Sequence, residues 1–263
     1  GAGLIERPGT ISLVEATLTA PWAEAPADAF RGSMAVELRA ADPEAEIYWT
    51  DREDLDLTAD PEVGNRYIEP ILLEARTRLL FVARTGDRTS RVMTAEFHTI
   101  PNDWKLQISS RTSTQYTGGG SDGLIDGRRG PDNWRNGGWH GYEDQDFVAV
   151  LDLGEPVRVR RAGASFLQDL RSWILMPREL LVETSTDGEH FVPAAKVSHD
   201  VSAKEYGIFR KDLTVRLSGE PVRFLRFRAT SYGPMPQWHS GAGGKSFIFI
   251  DELIVESEPG ELE

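Results

Sequence analysis

The chain contains no cysteine in 263 residues. That absence removes disulfides, thiolate zinc sites, iron–sulfur clusters and cysteine nucleophiles together, and it leaves the redox compartment open. Basic residues are scarce: 29 Lys and Arg stand against 42 Asp and Glu, a formal charge of −13. A field of that sign repels phosphate backbones and anionic lipid surfaces, so neither nucleic acid nor a membrane is expected as a partner. Long apolar runs are missing as well. The densest, Phe147 to Leu151 and Phe247 to Ile250, have strand length, far short of the roughly 18 to 20 residues of a bilayer-spanning helix. The N-terminus lacks the charged, apolar, small-residue order of a signal peptide, and Gly1-Ala2-Gly3 reads as a trimmed start, so export is not legible there. No H-E-x-x-H and no internal repeat occurs, and the acidic tail Glu256 to Glu263 is expected to fray.

What is present is a globular composition, 40% apolar and 27% charged, with 25 Gly and 15 Pro spread along the chain. Period-2 alternation dominates: Ala45 to Thr50, Arg78 to Ala83, Val157 to Arg160 and Val222 to Arg228 each place one face on a core and one in water. Turn clusters such as Ala41-Asp42-Pro43, Thr85-Gly86-Asp87, Asp152 to Pro156 and Thr186-Asp187-Gly188 separate them, and no stretch sustains a helical rhythm over three turns. The class is all-β, built as sandwiches. A boundary near Thr99 to Asp103 divides residues 1–100 from 101–263, and both parts are net acidic. Five of the seven Trp fall in the second part, several in segments rich in Gly, Asn, Gln or His, so function is expected there.

An ordered series of motifs runs through that second part. It comprises Tyr116-Thr117-Gly118-Gly119-Gly120, Leu124-Ile125-Asp126-Gly127, Trp139-His140-Gly141-Tyr142, the strand Phe147 to Gly154, Phe166-Leu167-Gln168-Asp169 with Ser172-Trp173-Ile174, Ser185 to Phe191, Trp238 to Lys245, and Phe249 to Leu253. In this order they resemble the coagulation factor 5/8 type C (discoidin) domain, in the version akin to family 32 carbohydrate-binding modules that follows bacterial β-N-acetylhexosaminidases. The resemblance covers about residues 101–257 and implies a galactose-binding-like jelly roll. In residues 1–100, Ile47 to Asp51, Tyr67 to Pro70 and the strand Thr77 to Arg84 look like the small immunoglobulin-like sandwich that follows the catalytic barrel of chitobiases. The sequence departs from that pattern where Arg52 replaces a glycine and an acidic stretch, Asp51 to Asp60, replaces a short turn. A hexosaminidase barrel itself would need roughly 250 residues of alternating strand and helix, and no such span exists.

A sugar ring offers an apolar C–H face and a rim of hydroxyls, so its site needs flat aromatics and short polar groups at loop tips. Trp139, His140, Gln168, Trp173, Gln237, Trp238 and His239 supply those types, and the resemblance implies that the ligand sits on loops at one end of the roll. The competing expectation is that each Trp is packed into the core, the usual fate of that side chain. Asp126 to Asn133 offers carboxylates, carbonyls and turn glycines of the kind calcium uses. The resemblance implies a structural calcium there, held by Asp126 and Asp132 and completed by Glu252, against the plainer expectation of an empty acidic turn. Adjacent acids such as Asp251 and Glu252 point to opposite faces of a strand, which disfavours a glycosidase pair. The arginines of Val157 to Arg161 and Val222 to Arg228 are expected on solvated strand faces. The expectation is a non-catalytic carbohydrate-binding module for a terminal galactose or N-acetylhexosamine, in a secreted, periplasmic or cell-surface bacterial glycan-processing protein. The alternatives are a docking module for a glycoside hydrolase catalytic domain and, more remotely, a glycosidase in its own right.

Overall fold

The computed structural model describes residues 18–257, which form two compact units. Of the described residues, the first takes those up to Asp28 and then Gly32–His98; the second takes Ala29–Arg31 and those from Thr99 onward.

The first unit carries two antiparallel sheets. One has the order β1-β3-β6, from β1 (Trp22–Glu24), β3 (Met34–Arg39) and β6 (Ile71–Leu73). The other runs β9-β7-β4-β5, from β4 (Glu46–Thr50), β5 (Asn65–Arg66), β7 (Thr77–Thr85) and β9 (Met93–Thr99), with β8 (Arg88–Thr89) folded back on β7. Alternation buries Met34, Val36 and Leu38 on β3, and Leu79, Phe81 and Ala83 on β7. The acidic stretch 51–60 is a cover: its Leu57 is buried against Tyr48 and Val82, while its acids face water or pair with Arg52 and Arg78.

The second unit contains β2 (Ala29–Phe30) and β10 to β17. Its spine is β12 (Phe147–Asp169), 23 residues long. The first half of β12 pairs with β10 (Lys105–Ile108) and β16 (Pro221–Ala229), and the second half with β15 (Ile208–Arg216) and β17 (Phe247–Ser257). β11 (His140–Glu143) extends β17, while β13 (Leu180–Ser185) and β14 (Val192–Val197) extend β16. The segment Asp152 to Pro156 thus bends one strand from one set of partners to the other, instead of ending it. A register shift lies between Asp152 and Val157, and Gly154 takes φ +87° there. An extra residue and a left-handed glycine are the ordinary means of turning a sheet corner. The core between the layers is built from inward residues of both, including Phe147, Leu151, Phe166, Val182, Phe227 and Ile250. The fold is all-β sandwich throughout, with short 3-10 turns in place of helices among the described residues.

Strand arginines lie on solvated faces but are paired: Arg223 with Asp152, and Arg226 and Arg228 with the buried Glu183. Glu256 belongs to β17 and pairs with Arg161, so the start of the acidic tail is held; residues 258–263 lie outside the described residues.

Candidate functional site

Trp173 follows a single 3-10 turn, Leu170–Ser172, and caps it in the left-handed region at φ 62°. Its N–H donates to the Leu170 carbonyl, and its own carbonyl accepts from Phe247 N–H, so the backbone is fixed from both sides. A non-glycine residue there costs about 1 kcal/mol or more, and the cost is met by this bracing. The indole lies against a glycine loop: a Cβ on Gly241 or Gly244 would fall 2.4 Å from its ring atoms. Trp173 remains 38% exposed.

The same loop brings Trp238, 43% exposed, to the same end of the unit. Between the two lies His239, buried, in edge-to-face contact with both indoles at centroid distances of 6.5 and 6.0 Å. Its Nδ1 accepts from Gly241 N–H at 3.0 Å, which makes the imidazole a brace of the glycine loop. Gln237 is exposed beside Trp238. Of the candidates named from sequence, Trp173, Gln237, Trp238 and His239 therefore come together on one loop cluster.

Trp139, His140 and Gln168 do not join them as surface groups. Trp139 is 1% exposed, donates from Nε1 to the Pro131 carbonyl at 2.9 Å, and packs with Trp134, Leu167, Ile174 and Phe249. The glycines around it signal close approach and not exposure, since a Cβ on Gly130 would lie 2.4 Å from Trp139 Nε1. His140 is buried at the start of β11, paired with Ile250. Burial pulls its pKa down to about 4, although the nearby Gly120 and Gly118 backbone works against the shift. Gln168 has no exposed surface; its amide donates to the Ser202 carbonyl and its carbonyl accepts from Met176 N–H, tying two site loops to β12.

Four residues of the same end carried no signal in the sequence. Tyr206 is 61% exposed, with the Arg171 guanidinium 6.0 Å from its ring centroid. Lys204 Nζ stands 5.6 Å over the Trp238 ring. Arg135 stacks on Trp134 at 4.1 Å and donates to Ser172 Oγ at 2.9 Å. A cleft of about 310 Å³ runs between Arg135, Asp169, Arg171, Ser172 and Tyr206. Its one buried acid, Asp169, accepts from Trp134 Nε1 and Ser172 Oγ, so its Oδ2 is already engaged. On the other side of Arg135, a second cleft of about 550 Å³ is lined by Tyr116 to Gly119 and Gly137 to Trp139.

Of the three residues expected to hold calcium, two meet. Asp126 and Glu252 are close enough that Asp126, after burial, is the next largest cause raising the Glu252 pKa to about 8. Glu252 Oε1 accepts from Gly127 N–H at 3.2 Å, while its Oε2 is buried with no hydrogen-bond partner. A buried carboxylate oxygen without a donor, beside a second acid, fits an oxygen-seeking cation completed by loop carbonyls. Asp132 does not belong to the pair: its carboxylate is 81% exposed and bound to Arg210 at 2.6 Å. Its place near the loop is taken by Asp251, whose Oδ2 accepts from Gly130 N–H. Among the described residues no group of three or more His, Asp or Glu gathers for a metal.

A scan against models of known protein families matched nothing, and a search of curated proteins matched nothing. Among solved structures, the chain is similar to the third family 32 carbohydrate-binding module of a family 31 glycoside hydrolase from Clostridium perfringens: 14% identity, TM-score 0.39, covering 59% of this chain and 91% of that one. It is also similar to a fragment of a putative chitobiase from Bacteroides thetaiotaomicron, with 16% identity, TM-score 0.38, and 58% and 88% covered. A third similar structure is the lectin domain of lectinolysin complexed with Lewis B antigen, at 12% identity and TM-score 0.39, with 61% and 96% covered.

Proposed function

We propose that the chain is a non-catalytic carbohydrate-binding module, with its site on the loop cluster that presents Trp173 and Trp238. The observation that carries this reading is the exposure of both indoles, 38% and 43%, on one loop cluster of the second unit. Large aromatics held out in water by a braced backbone have the flat apolar face that a pyranose C–H face requires. Gln237 and Arg171 stand beside them as donors for ring hydroxyls. His239 and Gln168 act one layer down, by fixing the loops.

The site is shallow, so few ligand atoms are buried and affinity for one terminal hexose or N-acetylhexosamine is weak. Asp126, Glu252 and adjacent carbonyls would hold a calcium ion, which supplies cross-linking of the 126–131 loop to β17 and no chemistry at the sugar. The accessory role beside a glycoside hydrolase, and a location outside the cytoplasm, follow from this reading and the motif resemblance.

The test is a glycan array probed with the whole chain, with Trp173→Ala and with Trp238→Ala. Binding that disappears in either variant supports the reading. A blank array for folded wild-type protein overturns it and leaves the exposed indoles as a docking surface.

A further inference from the structure

We infer that the sugar bound at this end carries a carboxylate, as in a uronic acid or a sialic acid. The inference rests on the carbohydrate-binding reading above and gives it a substrate class.

Its basis is the pairing of rings with cations. Lys204 stands over Trp238 and Arg171 over Tyr206, and both cations are carried at loop positions exposed to water. Neither has a carboxylate partner among the described residues. Other cations of this unit, among them Arg129, Arg161, Arg210, Arg223 and Arg226, are bound to acids. Two unpaired cations beside the same exposed rings are available to an outside anion.

The arrangement also suits the shape of such a ligand. Lys204 and Tyr206 sit on one short loop, anchored where Ser202 accepts from Gln168 and from Glu205 N–H. Arg171 comes from the turn that ends in Trp173. A sugar seated beside these rings would turn its C–H surface to the aromatics and its carboxylate to the cations that stand over them. Arginine presents a planar fork that matches a carboxylate in a bidentate manner, and lysine adds a point charge. Arg135 lines the same cleft, held by Ser172 and paired with Asp169 at 4.0 Å. The acids at this end are the exposed Glu205 and the buried Asp169, the latter already engaged by Trp134 and Ser172. The local balance is therefore positive although the whole molecule is strongly negative.

The experiment is calorimetric titration of the full chain with matched pairs: methyl galacturonide against methyl galactoside, methyl glucuronide against methyl glucoside, and 3′-sialyllactose against lactose. The expected result is about a tenfold preference for the acidic member of at least one pair, as one charge-assisted hydrogen bond would supply. The uronide and sialyl arms separate the two sources of carboxylate. The preference should shrink between about 20 and 300 mM salt. In Arg171→Gln and Lys204→Gln the ratio of acidic to neutral affinity should fall toward one, while Trp238→Ala loses both ligands. Equal or stronger binding of every neutral member by the wild type overturns the carboxylate proposal and leaves the sugar-binding reading intact. A preference unchanged in both cation variants also overturns it. No binding of any sugar by protein with intact circular dichroism overturns both.

Discussion

A methyl group added at Gly241 or Gly244 would lie 2.4 Å from the Trp173 indole, closer than any real contact allows. Gly244→Ala should therefore push the indole off its seat and weaken sugar binding at least tenfold, while the fold loses only about 1 to 3 kcal/mol. Tryptophan emission and thermal melting, read together, check this. The exposure of Trp238 was legible from its polar, glycine-rich segment, while that of Trp173, followed by Ile174-Leu175-Met176, was not. Nor was the burial of Trp139, since flanking glycines mean either exposure or close packing and a single sequence does not distinguish them. The buried His140 gives a pH prediction. Its pKa, about 4 in the fold against an ordinary 6.5, means that the folded chain binds fewer protons than the unfolded one between those values. Its contribution is present above pH 6.5 and is lost as pH falls toward 4, by up to about 3 kcal/mol. The fall in melting temperature over this window should be shallower in His140→Gln than in the wild type.

At the scale of elements, β12 decides the second unit. Gly163 lies where β12 crosses β15, and a Cβ there would sit 2.1 Å from the Leu213 carbonyl and 2.7 Å from Thr214 Cα. Backbone cannot swing aside as a side chain can, so Gly163→Ala should lower stability by more than about 3 kcal/mol in urea melts. Gly120→Ala, in an open turn with no atom within 4 Å, should cost about 1 to 2 kcal/mol for its left-handed backbone alone. Period-2 alternation made the strands visible, but not the fact that two of them are one. Asp152-Leu153-Gly154-Glu155-Pro156 has the composition of a chain reversal. Only the pairing of Phe147 to Arg158 with one set of strands and of Val159 to Asp169 with another shows a corner. The calcium pair belongs to this scale too, because Glu252 on β17 reaches the loop at Asp126. Calcium should raise the melting temperature of the wild type by several degrees and leave Glu252→Gln unmoved, as expected for a ligand that binds only the folded state.

Over the whole molecule, charge and connectivity matter more than any motif. The net charge of −13 spoke against nucleic acid as a partner, yet it concealed the cations grouped at Arg135, Arg171 and Lys204, because a sum carries no positions. The division near residue 100 was legible from Ile100-Pro101-Asn102-Asp103. The three residues Ala29–Arg31 were not, since nothing in their composition ties them to a unit that begins in sequence at Thr99. Arg31 carries their weight: its guanidinium bonds to Asp122, to the Asn102 carbonyl at 2.6 Å and to the Trp104 carbonyl. Arg31→Ala should lower the stability of the second unit by about 1 to 3 kcal/mol, seen as an earlier urea transition. The chain thus visits the second unit, returns to the first, and comes back. A compact unit that follows another in a chain is usually pictured as a cassette that recombination can lift out and append elsewhere. Here a cut at Thr99 leaves three of its residues behind, so a segment moved intact must start before Ala29 and takes the first unit with it as baggage.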